Sequence, residues 1–341
     1  MKIDLAVIGQ GVVSPAGVGL DALMHREPTA ASIAPLAEPD DLWPVLRVPF
    51  SDPAFARWQR EPRLRRASPI TFFLVDAAAQ ALTAVDDATR ANTGLIVAFS
   101  AGCLAYSRRF FEGIVTQGQK TASPALFPET VFNSPVSHVA SVLGLNGAAY
   151  ALVGDEAAWV AALKTAAVWL KMKRIGQVLV LGAEEFDPLV LDAYRSARWL
   201  RRGENANRFL ASEGAAGLLV RHATPEDTRV MTHAHDGFIY RSKREASAAA
   251  EKLLNASDSV LPCYRSAQHN ALASVEEKAV GKRGTVVDER PYLGEAFTAS
   301  AAWRTLRALS QVDAEVPRLL LPIWGLNHQL ASLELESKPS A

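Results

Sequence analysis

Gly154-Asp155-Glu156 is where this chain sets reactive side chains in a geometry that enzymes use. A short apolar strand, Ala148–Val153, leads into it, and an alanine-rich helix pattern runs out of it to Lys171–Arg174. A strand that turns directly into a helix presents one residue at the helix N-terminus, where unpaired N–H groups and the helix dipole favour an anion. Nucleophiles sit at such turns because the environment lowers a thiol's pKa and exposes the side chain. Here the turn carries two carboxylates, which cap a helix well but are poor nucleophiles toward thioesters.

Other reactive types are scattered. Cys103 opens a helix with no histidine partner in view, which reads as a small packed cysteine. His233 and His235, with Asp236 beside them, alternate along a strand; without a third and fourth ligand they read as side chains on its exposed face. Ser100 and Ser134 lack a G-x-S-x-G elbow. Asn255-Ala256-Ser257 fits a glycosylation sequon without secretory context. Gly9-x-Gly11 follows a strand, but the third glycine of a dinucleotide fingerprint is missing and Pro15 interrupts the helix that should follow.

Composition narrows the classes. The 341 residues are 49% hydrophobic and 21% charged, which suits a globular protein with a substantial core and excludes disorder. Thirty-six basic and 36 acidic residues balance, so no electrostatic case for nucleic acid arises. Cys103 and Cys263 are the only cysteines, far apart, as in a reducing compartment. The longest stretch free of charge, Thr130–Gly154, is too polar to span a membrane, and the N-terminus reads as a strand. The expected location is the cytoplasm.

The elements that must position Asp155 and Glu156 follow from periodicity. Buried-type strands are read at Leu5–Ile8, Thr93–Phe99, Ala148–Val153, Gln177–Leu181 and within Leu210–Val220, with helices at Gly19–Arg26, Ala67–Leu82 and Ser134–Leu143 and another after Ser100–Cys103. Residues 27–60, rich in Pro, Ala and Asp, read as a surface excursion. The second half is less regular: strands are read at Met231–Phe238, Val260–Pro262, Val286-Val287, Leu319–Leu321 and Leu330–Leu333, and helices at Arg244–Asn255, Ala271–Lys278 and Phe297–Leu309. Such alternation predicts an α/β protein with helices on both sheet faces.

Four segments resemble β-ketoacyl-ACP synthases, condensing enzymes of the thiolase fold. AVIGQGVVSPAGVG is similar to that family's first strand and loop. ASPALFPETVFNSPVSHVASVLGLNGAAYAL resembles the approach to its nucleophile, with His138 at the place of a structural histidine. VLVLGAEEF and FLASEGAAGLLV resemble the strands that complete the first half. The resemblance implies a thiolase-like fold of two pseudo-duplicated α/β halves layered α-β-α-β-α. Residues 1–222 would form the first half, and residues 223–341 a shortened second half packed as one unit with it. The family uses a cysteine and two histidines. Carried over, the nucleophile position falls on Glu156 and the second histidine on Glu295, with Arg290 at an upstream lysine. The first histidine position falls on Arg265, with His269 as the alternative if the loop is shifted. The glycine-rich loop near the C-terminus has become Trp324-Gly325-Leu326-Asn327-His328, with one glycine left.

These replacements imply a degenerate member without condensing activity. Acylation of an ionised Glu156 would give a mixed anhydride, less stable than the incoming thioester, and an ionised carboxylate cannot donate to an oxyanion. Removing one such donor costs about two to three orders of magnitude in rate. If the positions converge, Glu156 and Glu295 would meet Arg265 and Arg290 in a filled, charge-balanced cluster. No catalytic residue, metal or cofactor is then expected. The resemblance implies a dimer, either with itself or, as chain-length factors do, with an active ketosynthase of fatty acid or polyketide synthesis, with acyl carrier protein as a possible contact. The alternatives are an adaptor without acyl chemistry, such as an accessory to a secreted effector of a type VI system, and a residual decarboxylase or hydrolase using Glu156 as a base.

Overall fold

The computed structural model describes residues 1–24, 32–35, 42–200, 209–257, 261–265, 270–281, 285–288 and 293–338. Five strands build the frame of the first half: β1 (Lys2–Ser14), β5 (Gly94–Phe99), β6 (Ala149–Val153), β7 (Val178–Glu184) and β9 (Gly214–His222). Between them lie β2 (Gly17–Val18), α1 (Leu20–Met24), β3 (Ser32–Pro35), β4 (Leu42–Leu46), α2 (Ala56–Gln59), α3 (Pro69–Ala81), α4 (Asp87–Ala91), α5 (Leu104–Gln117), α6 (Ser134–Leu143), α7 (Ala157–Lys171), α8 (Pro188–Ser196) and β8 (Ala211–Ser212). The second half has β10 (Arg229–Ile239), α9 (Lys243–Ala256), β11 (Cys263–Arg265), α10 (Asn270–Val280), β12 (Thr285–Asp288), α11 (Thr298–Gln311), β13 (Arg318–Gly325) and β14 (Gln329–Ser337).

The frame strands of the first half lie in the order β6-β5-β7-β9-β1, and those of the second in the order β12-β11-β13-β14-β10. Numbered within its own half, each reads third, second, fourth, fifth, first. The directions repeat as well: in each half the second strand runs parallel to the third and fourth, and the fifth is antiparallel to its neighbours. The two halves join through an antiparallel pairing of their first strands, β1 and β10. This is an internal duplication, legible in topology.

Strands β5 and β7 are buried along their whole length, which is why they read as unbroken apolar runs. Helices α7 and α11 form the middle layer. Their buried side chains, among them Trp159, Leu163, Trp303 and Leu306, pack in one cluster with residues from the strands of both halves. Helix α7 is apolar on nearly every side, as befits a helix covered twice. Burial of one such leucine or valine is worth about 1.5–3 kcal/mol. Helices α3 and α6 cover the outer face of the first sheet, and α9 and α10 that of the second. The result is the layered thiolase-like arrangement that the resemblance implies.

Two readings need correction, and a third pattern gains its physical reason. The Gly9-x-Gly11 pair serves packing: a Cβ at either position would collide with a carbonyl of α3, Ala81 O or Ala77 O, so both glycines let the helix lie against β1. Residues 42–60 are no mere surface excursion: β4 pairs with β3 and β8 in a small separate sheet, and Trp43, Val45, Phe55 and Trp58 are buried. Of the strand read at Val260–Pro262, Val260 lies outside the described residues, and Leu261 and Pro262 precede the strand β11, whose pairing with β13 starts at Cys263–Leu320. Among the described residues no helix is long and apolar enough to cross a membrane.

Candidate functional site

Strand β6 ends at Val153, and the turn Gly154-Asp155-Glu156 delivers the chain into α7 at the buried centre of the molecule. Both acidic side chains are inside: Asp155 is 1% exposed and Glu156 0%. Asp155 does the capping, its Oδ1 accepting the Ala157 N–H at 3.0 Å. Glu156 makes no cap; its Oε2 accepts the Leu326 N–H at 3.1 Å, and its Oε1 has no hydrogen-bond partner. The β13–β14 turn is therefore pressed onto the start of α7. Gly325 permits this, because a Cβ there would land on the Asp155 carboxylate.

Glu295 reaches the same place from the other half. Its loop is held to β8 by Ser212 N–H to Glu295 O (3.0 Å) and by Glu295 N–H to Leu210 O (2.8 Å). Its Oε1 accepts the Phe297 N–H at 2.8 Å, and its Oε2 pairs with Arg304 Nη2 at 2.6 Å. Phe297 takes a left-handed φ of 48° there, an unusual conformation for a bulky residue. The Trp159 indole N–H donates to Thr305 Oγ1 at 2.9 Å, locking α7 to α11 beside the site.

Electrostatics follow from burial. The Glu156 carboxyl is pushed well above the usual range by desolvation, then by the nearby Glu295 and Asp155. Burial raises Asp155 as well, against the pull of the backbone N–H groups around it. Burial opposes the charge on Arg304, but Glu295 outweighs it and holds the guanidinium protonated.

Glu156 and Glu295 thus lie close enough to interact, with each side chain buried. Arg265 does not join them. It sits at the end of β11, its Nη2 3.8 Å from Glu277 Oε1, because pairing of Cys263 with Leu320 and Thr285 fixes that strand. The guanidinium at the site is Arg304, which the sequence reading missed. The structure supplies the reason: α11 is buried nearly all round, and a charge on such a helix must find a partner. Arg290 and His269 lie outside the described residues.

The remaining candidates are held by burial or by local partners. Cys103 is buried, its Sγ 3.3 Å from Val131 O, and desolvation pushes its thiol up to about 12. His235 pairs with Glu334 at 2.9 Å, with His233 stacked alongside. Among the described residues no group of three or more His, Cys, Asp or Glu is placed to hold a metal ion. His138 bonds Glu129 at 3.0 Å. Among the buried carboxyls that the sequence reading did not single out, two bind helix-start N–H groups or the loop before one. Glu184 accepts from the Ser100 and Ala101 N–H groups, and Glu185 from those of Ile70 and Ala105. Beside the site, Trp199, Tyr240, Leu272, Leu326 and His328 border a cavity of about 220 Å³.

A family model, the beta-ketoacyl synthase N-terminal domain, matches residues 49–225, more than half of the chain. No curated protein sequence matches. Among solved structures, the ishigamide ketosynthase/chain length factor superposes with a TM-score of 0.78 at 20% identity, covering 98% of this chain and 100% of that one. A β-ketoacyl synthase from Burkholderia phymatum STM815 gives 0.76 at 15% identity, covering 99% and 100%. A ketosynthase (ApeO) in complex with its chain length factor (ApeC) from Xenorhabdus doucetiae gives 0.77 at 14% identity, covering 98% of each. At these identities the likeness is one of fold.

Proposed function

Since the chain belongs to the β-ketoacyl synthase family, we propose that it is a non-catalytic member, the silent subunit that pairs with an active ketosynthase in fatty acid or polyketide-type synthesis. The observation that carries this reading is Glu156. The residue at the head of α7 is fully buried, and its own carboxyl occupies the Leu326 N–H. An acyl carbonyl would need that kind of donor. The Glu295–Arg304 pair beside it is likewise engaged with itself. Glutamate at the first position offers no stable acyl-enzyme, and at the second no imidazole.

The pairing surface rests on β6, which ends the sheet and leaves Tyr150 and Val153 each 53% exposed. Next to it, Val168 (43%) and Met172 (60%) project from the end of α7. An apolar edge strand of this kind pairs with another chain unless something covers it. Chain length factors complexed with ketosynthases, as in two of the similar structures, show that this fold serves such a role elsewhere.

Co-expression with an active ketosynthase should yield a one-to-one complex by light scattering. Intact-mass analysis after incubation with acyl- or malonyl-carrier protein should show no adduct on this chain. An acyl adduct, or carbon dioxide release that disappears in Glu156→Ala, would overturn the silent-subunit reading. Failure to bind a ketosynthase would turn the assignment toward an adaptor.

A further inference from the structure

The edge of β6 and the tail of α7 form one continuous surface. Tyr150 on β6 and Trp169 on α7 meet edge to face, their ring centroids 6.4 Å apart, and Val153, Val168 and Met172 stand exposed around them. The exposed charge on this surface has one sign. From Ala148 to Gly176 the only acids are Asp155 and Glu156, and both are buried. The exposed charges of that segment are Lys171, Lys173 and Arg174, all at the tail of α7. On the flank, Ala88, Thr89 and Asn92 share a surface hollow with Gly176 and Gln177. The charges there are engaged locally: Asp86 caps α4 through the Thr89 N–H, and Arg90 lies 3.6 Å from Asp87.

The helix itself does not require three cations. One base in the last turn, Lys171, complements the dipole. Lys173 and Arg174 lie beyond it, and Lys173 takes a left-handed φ of 56°, where glycine or asparagine is the easier residue. Over the whole chain basic and acidic residues balance at 36 each, so the excess is local.

We propose that this basic tail selects the partner: it admits a ketosynthase-fold chain whose facing surface is acidic, and it resists a second copy of this chain. A two-fold pairing presents the same patch from both copies, so each brings the same three cations and no exposed acid from this segment to meet them. The apolar contacts at Tyr150, Val153, Val168 and Met172 do not tell such partners apart. Charge does, by repelling the wrong partner as well as by attracting the right one. The inference rests on the pairing surface proposed above and gives the chemistry of what fits it.

Sedimentation of the full chain tests the selection without a partner in hand. At 50 mM salt the wild type should self-associate weakly, and at 500 mM about threefold more tightly, because screening removes the repulsion. The Lys171→Ala/Lys173→Ala/Arg174→Ala variant should lose that salt dependence, which separates it from any general effect of salt on apolar contacts. The Lys171→Glu/Lys173→Glu/Arg174→Glu variant, mixed with wild type at 50 mM salt, should form a mixed pair about tenfold tighter than either chain forms alone, a preference that fades at 500 mM. Wild-type association that is unchanged or weakened by salt, including a chain that stays monomeric at both concentrations, overturns the proposal. So does a mixed pair no tighter than the like pairs. An active ketosynthase that binds the alanine variant as tightly as wild type at 50 mM salt removes the selection by charge and leaves the silent-subunit reading intact. A tight mixed pair in a chain that no ketosynthase binds does the reverse.

Discussion

Removing the guanidinium of Arg304 strands Glu295, whose side chain is 1% exposed and whose other oxygen already accepts the Phe297 N–H. Breaking one member of a buried pair costs about 3–5 kcal/mol, because the remaining charge has nowhere to go. Arg304→Met should therefore lower unfolding stability in urea by about that amount, and adding Glu295→Gln should recover most of it. A single variant as stable as wild type would show that the pair is not the contact drawn here. Arg304 also marks the limit of what the sequence discloses at this scale. Glu156 and Glu295 were legible because Gly154 and Gly294 fix the turns just before them. Arg304 was not, since helical spacing alone does not say which polar side chain of a buried helix points at which carboxylate. Arg265 was misassigned to the cluster because its place depends on strand pairing, a long-range fact that local pattern does not contain.

At the level of elements, β6 is the one whose surroundings in this chain are least complete. It pairs with β5 on one side, and among the described residues no strand pairs with its other edge, which runs past the exposed Tyr150 and Val153. An antiparallel meeting with a partner strand would satisfy the backbone groups of that edge, and a charge placed on the edge opposes it. Val153→Lys should weaken association, with itself or with a ketosynthase, at least tenfold by sedimentation, about 1.4 kcal/mol. The variant should unfold with an unchanged midpoint under conditions where the wild type is monomeric. Undiminished association would place the interface elsewhere. Strands buried on both faces, such as β5 and β7, could be read directly from their apolar runs. The β3–β4 pair could not, because prolines and acidic residues mask a short strand whose partner, β8, lies far along the chain. The role of the Gly9-x-Gly11 pair was hidden for a related reason. A glycine needed for close packing against α3 and one needed for a phosphate look alike in sequence.

For the molecule as a whole, the duplicated strand order places α7 and α11 at equivalent points of the two halves, each following the third strand of its own half. The heads of both helices therefore converge on the common interior, which is how Glu156 and Glu295 come to face each other from the two halves of the sequence. That interior is rich in acid. Besides the carboxyls at the site, burial raises Glu184 to about 7 and Glu185 to about 8, although backbone N–H groups pull both back toward the ionised form. The sign of the pH dependence follows. In the unfolded chain a glutamate titrates near 4.3, so between roughly pH 4.5 and 8 the folded protein binds more protons than the unfolded one. Stability then falls as pH rises through that window. The groups shifted the other way, Glu61, Asp86, Glu226, Asp227, Asp313 and Glu334, lose their stabilising charge only at more acid pH, so they do not cancel the trend. Urea midpoints measured from pH 5 to pH 9 should decline, and Glu185→Gln should flatten the part of the curve between pH 5 and 8. A midpoint that rises across the window would mean that the N–H groups of Ile70 and Ala105 win over burial and hold Glu185 as the anion. Its role would then be to pin the starts of α3 and α5 by charge.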